Sequence, residues 1–198
     1  MIAFAAFAST LAVACPQNLA NGLETPPTAR QLVTVEAKVA RTTYAELRTW
    51  RRVRGCWVAV GGPYTARLGK NGLSSDRREG DGTTPTGTYR IGGTMYGNEA
   101  NPGVRFRYRR LRCGDWWDED PTSPTYNSFQ HVRCGTKPPF GVNSEGLWQQ
   151  PTAYAHFAVV EFNMRPVVRG LGSGIFLHAQ TGGPTVGCIS LRKPELRA

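Results

Sequence analysis

Along the chain, apolar and polar residues mostly alternate with the period of strands. LVTVEAKV (32–39) alternates as an edge strand does. CWVAVGG (56–62) is an apolar strand running into glycines, and YTARLG (64–69) reads as its hairpin partner. KNGLSSDRREGDGTTPTGTYRI (70–91) is dominated by Asn-Gly, Glu-Gly-Asp-Gly and Pro-Thr-Gly, whose positive or fixed φ suits tight turns, and its last residues begin another strand. VRFRYRRLR (104–112) sets Val104, Phe106 and Tyr108 against Arg105, Arg107 and Arg109 until the parity breaks at Arg109-Arg110. TAYAHFAVVEFN (152–163) and SGIFLHA (173–179) are further strands. The one helical signal is TTYAELRTWRRV (42–53), where Tyr44, Leu47 and Trp50 recur at spacing three behind a threonine N-cap. The expected fold is mostly β, with one or two short helices and long loops that carry function.

Composition agrees: Gly 23 and Pro 14 favour turns, and 40% hydrophobic residues suffice for one core in a chain of 198. The net charge of +10 directs the surface toward polyanions: nucleic acid, anionic lipid or envelope polymers. MIAFAAFASTLAVAC (1–15) is uncharged and shorter than the roughly 20 residues a spanning helix needs. It fits the apolar region of a secretory signal, with Ala12-Val13-Ala14 as the cleavage site, and with Cys15 it also resembles a lipoprotein box. Export is expected, to the periplasm or cell wall. Residues 16–32 then read as a linker and 33–198 as the working domain.

Outside the cytosol, disulfides are permitted, and five cysteines leave one thiol over. If that one is Cys188, the other four allow three pairings. Cys113 with Cys134 is favoured because it closes a short loop, leaving Cys15 with Cys56.

FLHAQTGGPTVGCISL (176–191) places His178 ten residues before Cys188, joined by a Gly-Gly-Pro turn that can fold the two segments side by side. An imidazole within reach of a thiol makes a nucleophile, Gly187 leaves room for a substrate backbone, and successive N–H groups there suit an oxyanion hole. Histidine-first order sets the pair apart from papain-like hydrolases.

Other constellations are weaker. Cys113, His131 and Cys134 are one ligand short of a structural zinc site, so no metal is expected. Asp115, Asp118, Glu119 and Asp120 lack the ligand alternation of a calcium loop and read as a solvated loop. Trp116 and Trp117 suit stacking on a sugar or a lid over the cysteine. The arginine stripe reads as an exposed strand face, with attraction to anionic wall polymers rather than nucleic acid. Glu79 and Asp81 read as turn formers rather than a glycosidase pair.

HAQTGGPTVGCISL resembles the signature of the L,D-transpeptidase (YkuD-like) catalytic domain. GCWVAVGGPYTARLGKNGLSSDRREGDGTTPTGTYRI matches the N-terminal half of that family, while DWWDEDPTSPTYN and YAHFAVVEFNMRP followed by GSGIFLH resemble its exported actinobacterial members. The resemblance covers roughly 33–192. It implies a β-sandwich and needs no cofactor.

The implied substrate is a peptidoglycan tetrapeptide stem. Cys188 attacks the carbonyl between its diamino acid and D-Ala to give a thioester, with His178 as base. The side-chain amine of a neighbouring stem resolves the thioester to a 3-3 cross-link. Hydrolysis by water, or a wall-binding module with an impaired site, are the alternatives.

The residue after the histidine, Ala179, orients the imidazole through its carbonyl. Tyr154, Thr185 and Ser190 are the expected groove residues, and the enzyme is expected to act as a monomer. Two departures stand out. Ser-His-Gly-Cys is Thr185-Val186-Gly187-Cys188 here, and the family arginine two residues beyond the nucleophile is Ser190. Family domains also continue past the cysteine through a helix and a final strand, so an open sheet edge is expected after Cys188.

Overall fold

The computed structural model describes residues 14–141 and 143–198, so all but the last two residues of the signal-like segment lie outside it. The described strands are β1 (Gln31–Glu36), β2 (Tyr44–Val53), β3 (Cys56–Arg67), β4 (Leu73–Ser74), β5 (Thr84–Pro85), β6 (Ile91–Gly97), β7 (Arg107–Arg110), β8 (Asp115–Asp118), β9 (Ser128–His131), β10 (Glu145–Gly146), β11 (Phe157–Val160), β12 (Phe176–Ala179) and β13 (Ile189–Leu191). One short helix, α1 (Lys193–Arg197), follows them. Eight strands form a curled sheet in the order β1-β2-β3-β13-β12-β11-β6-β7, three form a second in the order β10-β8-β9, and β4 pairs with β5. The fold is mostly β, as the alternation predicts, and consistent with a sandwich.

Strand periodicity divides the interior into two layers. From β12 and β13, Leu177, Ile189 and Leu191 face a core with Leu47, Leu68, Phe162 and Ile175. Phe176 turns the other way, toward Trp117, Leu147, Tyr154 and Phe157. His178 and Cys188 share the parity of Phe176, so both face the second layer.

Residues 42–53 are not a helix. They form β2, paired with β1 on one side and β3 on the other. Ala45 and Leu47 face the first core, and the register against β3 then slips between Leu47 and Trp50. Trp50, of opposite parity to Leu47, faces a separate cluster with Ala20 and Trp57. A strand that buries residues on both faces thus mimics a spacing of three.

Nor do CWVAVGG and YTARLG form a hairpin, being halves of the single strand β3. A Cβ on Gly61 would lie 2.6 Å from Thr49 Oγ1, and one on Gly62 would lie 2.5 Å from the Leu47 carbonyl oxygen. These glycines admit a close approach of β2 rather than a turn.

Residues 16–32, read as a linker, pack on this ribbon. The Asn21 amide bonds the Trp57 backbone in both directions, Thr25 Oγ1 accepts from Arg52 and from Trp57 Nε1, and Cys15 is bonded to Cys56. The sulfur that a lipid thioether requires is therefore engaged in a disulfide. Opening it with Cys15→Ser/Cys56→Ser removes a crosslink across 41 residues. Loop-closure entropy sets the expected loss at about 4 kcal/mol. An unchanged urea midpoint would count against this tether.

Cys113 and Cys134 form the other disulfide, and Cys188 is free. The loop between them is not a solvated acidic loop, since Asp115 and Asp118 are both 0% exposed. Asp115 accepts from Arg109, His131 and the Arg112 N–H, while Asp118 accepts from the Ser123 and Thr125 hydroxyls. Carboxylates satisfied this fully are tolerated inside a protein.

The arginine stripe is edge strand β7, but it starts only at Arg107 and leaves Phe106 exposed. The open edge expected after the cysteine is absent, because β13 lies between β3 and β12.

Candidate active site

Strand β12 runs parallel to β13, with Leu177 opposite Ile189 and His178 opposite Ser190. This register sets Cys188 one step before β13, on the same face as His178 and diagonal to it. Both line one cavity of about 580 Å³. The turn between them is tied down by Thr185, whose N–H donates to the Leu68 carbonyl at 2.8 Å and whose Oγ1 donates to the Cys188 carbonyl at 2.6 Å.

Within the cavity His178 is oriented as the resemblance implies. Its Nδ1 lies 2.8 Å from the Ala179 carbonyl oxygen, an acceptor only, so Nδ1 carries the proton and Nε2 is the free base. Burial is the main influence on the ring and holds it below the ordinary histidine range, with the Ala179 and Ala153 carbonyls opposing. The imidazole is neutral at pH 7 and able to take a proton.

The thiol is not held as a thiolate by the imidazole, contrary to the sequence expectation. Its proton is directed at the Gly174 carbonyl oxygen 3.2 Å away, and Sγ accepts the Phe176 N–H at 3.3 Å. Burial pushes this thiol up, well above the ordinary cysteine range, and Glu145 and Glu119 add to it against the Phe176 N–H and Arg77. At rest the two groups are thiol and imidazole, with the thiol turned to Gly174.

Gly187 has φ of +144°, and a Cβ there would lie 2.5 Å from Arg77 Nη1 and 2.9 Å from the Thr83 carbonyl oxygen. Its N–H donates to Thr185 Oγ1 at 3.1 Å, so it is not free to serve the expected oxyanion hole. Tyr154 lines the cavity with its ring edge 5.6 Å from the His178 ring, centroid to centroid, and its hydroxyl donates to Glu145.

Ser190 and Trp116 fall elsewhere. Ser190 is 1% exposed inside the sheet, outside the cavity lining. Trp116 packs edgewise on Phe140 and Trp148, while Trp117 is buried against Phe176. Neither indole is a lid.

The geometry adds Arg77, Glu79, Glu119 and Glu145 to the lining, none of which sequence reasoning placed there. Arg77 and Glu79 sit in the loop between β4 and β5, where the run of turn dipeptides hid them. Glu119 follows β8 and Glu145 lies in β10, so the small sheet delivers both. Burial pushes the Glu119 carboxyl well above the usual carboxylate range, with Glu145 and Glu79 adding to it. Burial likewise raises Glu145, against the hydrogen bond from Tyr154. His131 is engaged by Asp115, and Cys113 and Cys134 are bonded to each other.

No curated protein and no solved structure matches the chain significantly. The family model of the L,D-transpeptidase catalytic domain (YkuD) matches residues 30–198, spanning both sheets and every residue of the cavity. With a free cysteine and an oriented histidine facing one cavity, this chain belongs to the YkuD L,D-transpeptidase catalytic-domain family.

Proposed function

We propose that this protein is a peptidoglycan L,D-transpeptidase that forms 3-3 cross-links through a Cys188 thioester. The observation that carries the reading is that the free thiol and an imidazole whose Nδ1 is locked on Ala179 line one cavity.

In the first half-reaction, the Cys188 proton passes to His178 Nε2 as Sγ bonds to the carbonyl carbon between the diamino acid and D-Ala. The carbonyl π pair moves to oxygen. Collapse re-forms the carbonyl, breaks the C–N bond and expels D-Ala, whose amine takes the proton from His178. In the second half, the side-chain amine of a neighbouring stem attacks the thioester and gives its proton to His178, releasing the thiolate. The imidazolium then returns that proton to sulfur.

Two disulfides fit an exported enzyme, and the positive surface fits attraction to anionic wall polymers. Nucleic acid is not a partner in this reading, which takes the enzyme as a monomer.

Tetrapeptide muropeptides supplied with and without a diamino acid amine acceptor test the reaction. Release of D-Ala with a new cross-linked dimer is the expected result. D-Ala release without a dimer would make the protein a thiol L,D-carboxypeptidase. No release and no carbapenem adduct by intact mass would leave an impaired wall-binding module.

A further inference from the structure

Attack on a carbonyl develops negative charge on oxygen, and a fixed donor or cation aimed there is the usual source of its stabilisation. Two of the expected sources are not in place. The Gly187 N–H is spent on Thr185 Oγ1, and Ser190, standing where the family carries arginine, is buried away from the cavity.

A cation is nevertheless present. Arg77 lines the cavity and is only 4% exposed. Its Nη1 donates to the Thr83 carbonyl and to Asp81 Oδ1 at 3.3 Å, while among the described residues Nε has no partner. A buried guanidinium with a spare donor is costly as a structural element, which points to a use outside folding.

We propose that Arg77 is the anion-stabilising residue of this site, supporting the Cys188 thiolate as it forms and then the oxyanion of the tetrahedral intermediate. The second of these roles rests on the transpeptidase reading above. The guanidinium sits against the peptide that carries the nucleophile, since a Cβ on Gly187 would lie 2.5 Å from Nη1. Its loop is fixed to the same segment. Thr84 Oγ1 donates to the Cys188 carbonyl at 3.4 Å and the Lys70 N–H to the Thr185 carbonyl at 2.8 Å.

Asp81 holds the arginine in place. Burial acts against its ionisation, but the Arg78 and Thr83 N–H groups, the Thr83 hydroxyl and Arg77 keep its carboxyl below the usual range. The acidic residue of the Glu-Gly-Asp-Gly turn is thus an arginine clamp.

The three glutamates of the cavity suggest a competing role, in which Arg77 merely offsets their charge. Two of them have partners of their own. Glu79 accepts from the Tyr126 hydroxyl and from Ser173 Oγ at 2.7 Å, and Glu145 accepts from Tyr154. Within the 4 Å of an ion pair, Arg77 meets only Asp81 among the described residues.

The test is the rate at which Cys188 takes iodoacetamide and a carbapenem, followed by intact mass, in the wild type, Arg77→Met, Arg77→Lys and Arg77→Ala. Arg77→Met is expected to slow carbapenem acylation about 100-fold, the loss typical of one oxyanion donor, and to slow iodoacetamide, whose attack forms no oxyanion, about tenfold through lost thiolate support alone. Its melting temperature is expected to fall only modestly, because Asp81 loses one partner but keeps the Arg78 and Thr83 N–H groups and the Thr83 hydroxyl. Arg77→Lys retains the charge and should lie between the two. Guanidinium ion at tens of millimolar should speed Arg77→Ala, while urea, its neutral isostere, should not.

Arg77→Met reacting within threefold of the wild type overturns the proposal. So does equal rescue by guanidinium and urea, a comparison that stands even if Arg77→Met fails to fold. Alkylation is independent of the transpeptidase reading. A wild type that takes iodoacetamide but no carbapenem refutes that reading and leaves the arginine's effect on the thiol measurable.

Discussion

Cys188→Ala is expected to carry no carbapenem adduct and to form no cross-linked dimer, while unfolding at nearly the wild-type temperature. Cys188 is the one free cysteine, and the other four are bonded in pairs, so no second thiol can take over the chemistry. The thiol's contacts are weak ones, to the Gly174 carbonyl and the Phe176 N–H. Deleting sulfur from a wall that already borders a cavity of about 580 Å³ leaves little new void, so the usual cost of truncating a core side chain does not apply in full. Intact mass and a thermal melt on the same sample check both halves. An adduct on the variant would move the nucleophile elsewhere, and a large drop in melting temperature would make the residue structural.

His178→Ala should slow acylation by about 100- to 10,000-fold, the range supplied by a positioned general base. The pH profile separates this loss from misfolding. In the wild type burial lowers the imidazole's proton affinity, so Nε2 stays unprotonated below pH 6.5, and the acid limb of the rate profile falls at a lower pH than for a free histidine. Without the base, reaction depends on spontaneous thiolate. Burial pushes that thiol up, so the variant's rate should rise about tenfold per pH unit through neutrality without a plateau. A variant with the wild-type profile at a lower rate would show that His178 does not accept the proton. Ala179→Gly should change little, because only its backbone carbonyl holds Nδ1.

How much of this was legible in the chain depended on the range of the interaction involved. Strand alternation is local, and it placed LVTVEAKV at the sheet edge, while SGIFLHA, read as a short buried strand, holds β12 in its last four residues. The same local logic misread residues 42–53, because distant segments bury both faces of β2, Leu47 in the first core and Trp50 against Ala20 and Trp57. It also took Gly61 and Gly62 for a turn, where the real constraint is Thr49 and Leu47 pressing from across the ladder.

The candidate pair was drawn from residue type, order and the family resemblance of HAQTGGPTVGCISL, and the structure brings both side chains to one cavity. The disulfide partners followed from loop length once Cys188 was set aside. What the chain could not disclose is which charges reach the cavity. Arg77 and Glu79 belong to a glycine-rich loop, Glu119 and Glu145 to a separate small sheet, and nothing in their own neighbourhoods distinguishes them from solvated residues.

Sequence alone therefore determined the β class and the family, and it singled out His178 and Cys188 as the candidate pair. Tertiary structure decided that the thiol rests protonated on Gly174, that Ser190 is out of reach, and that the cation beside Cys188 comes from 111 residues upstream. Alternation, turn propensity and nucleophile type are written in neighbouring residues. Burial and charge pairing exist only once distant segments share one low-dielectric cavity.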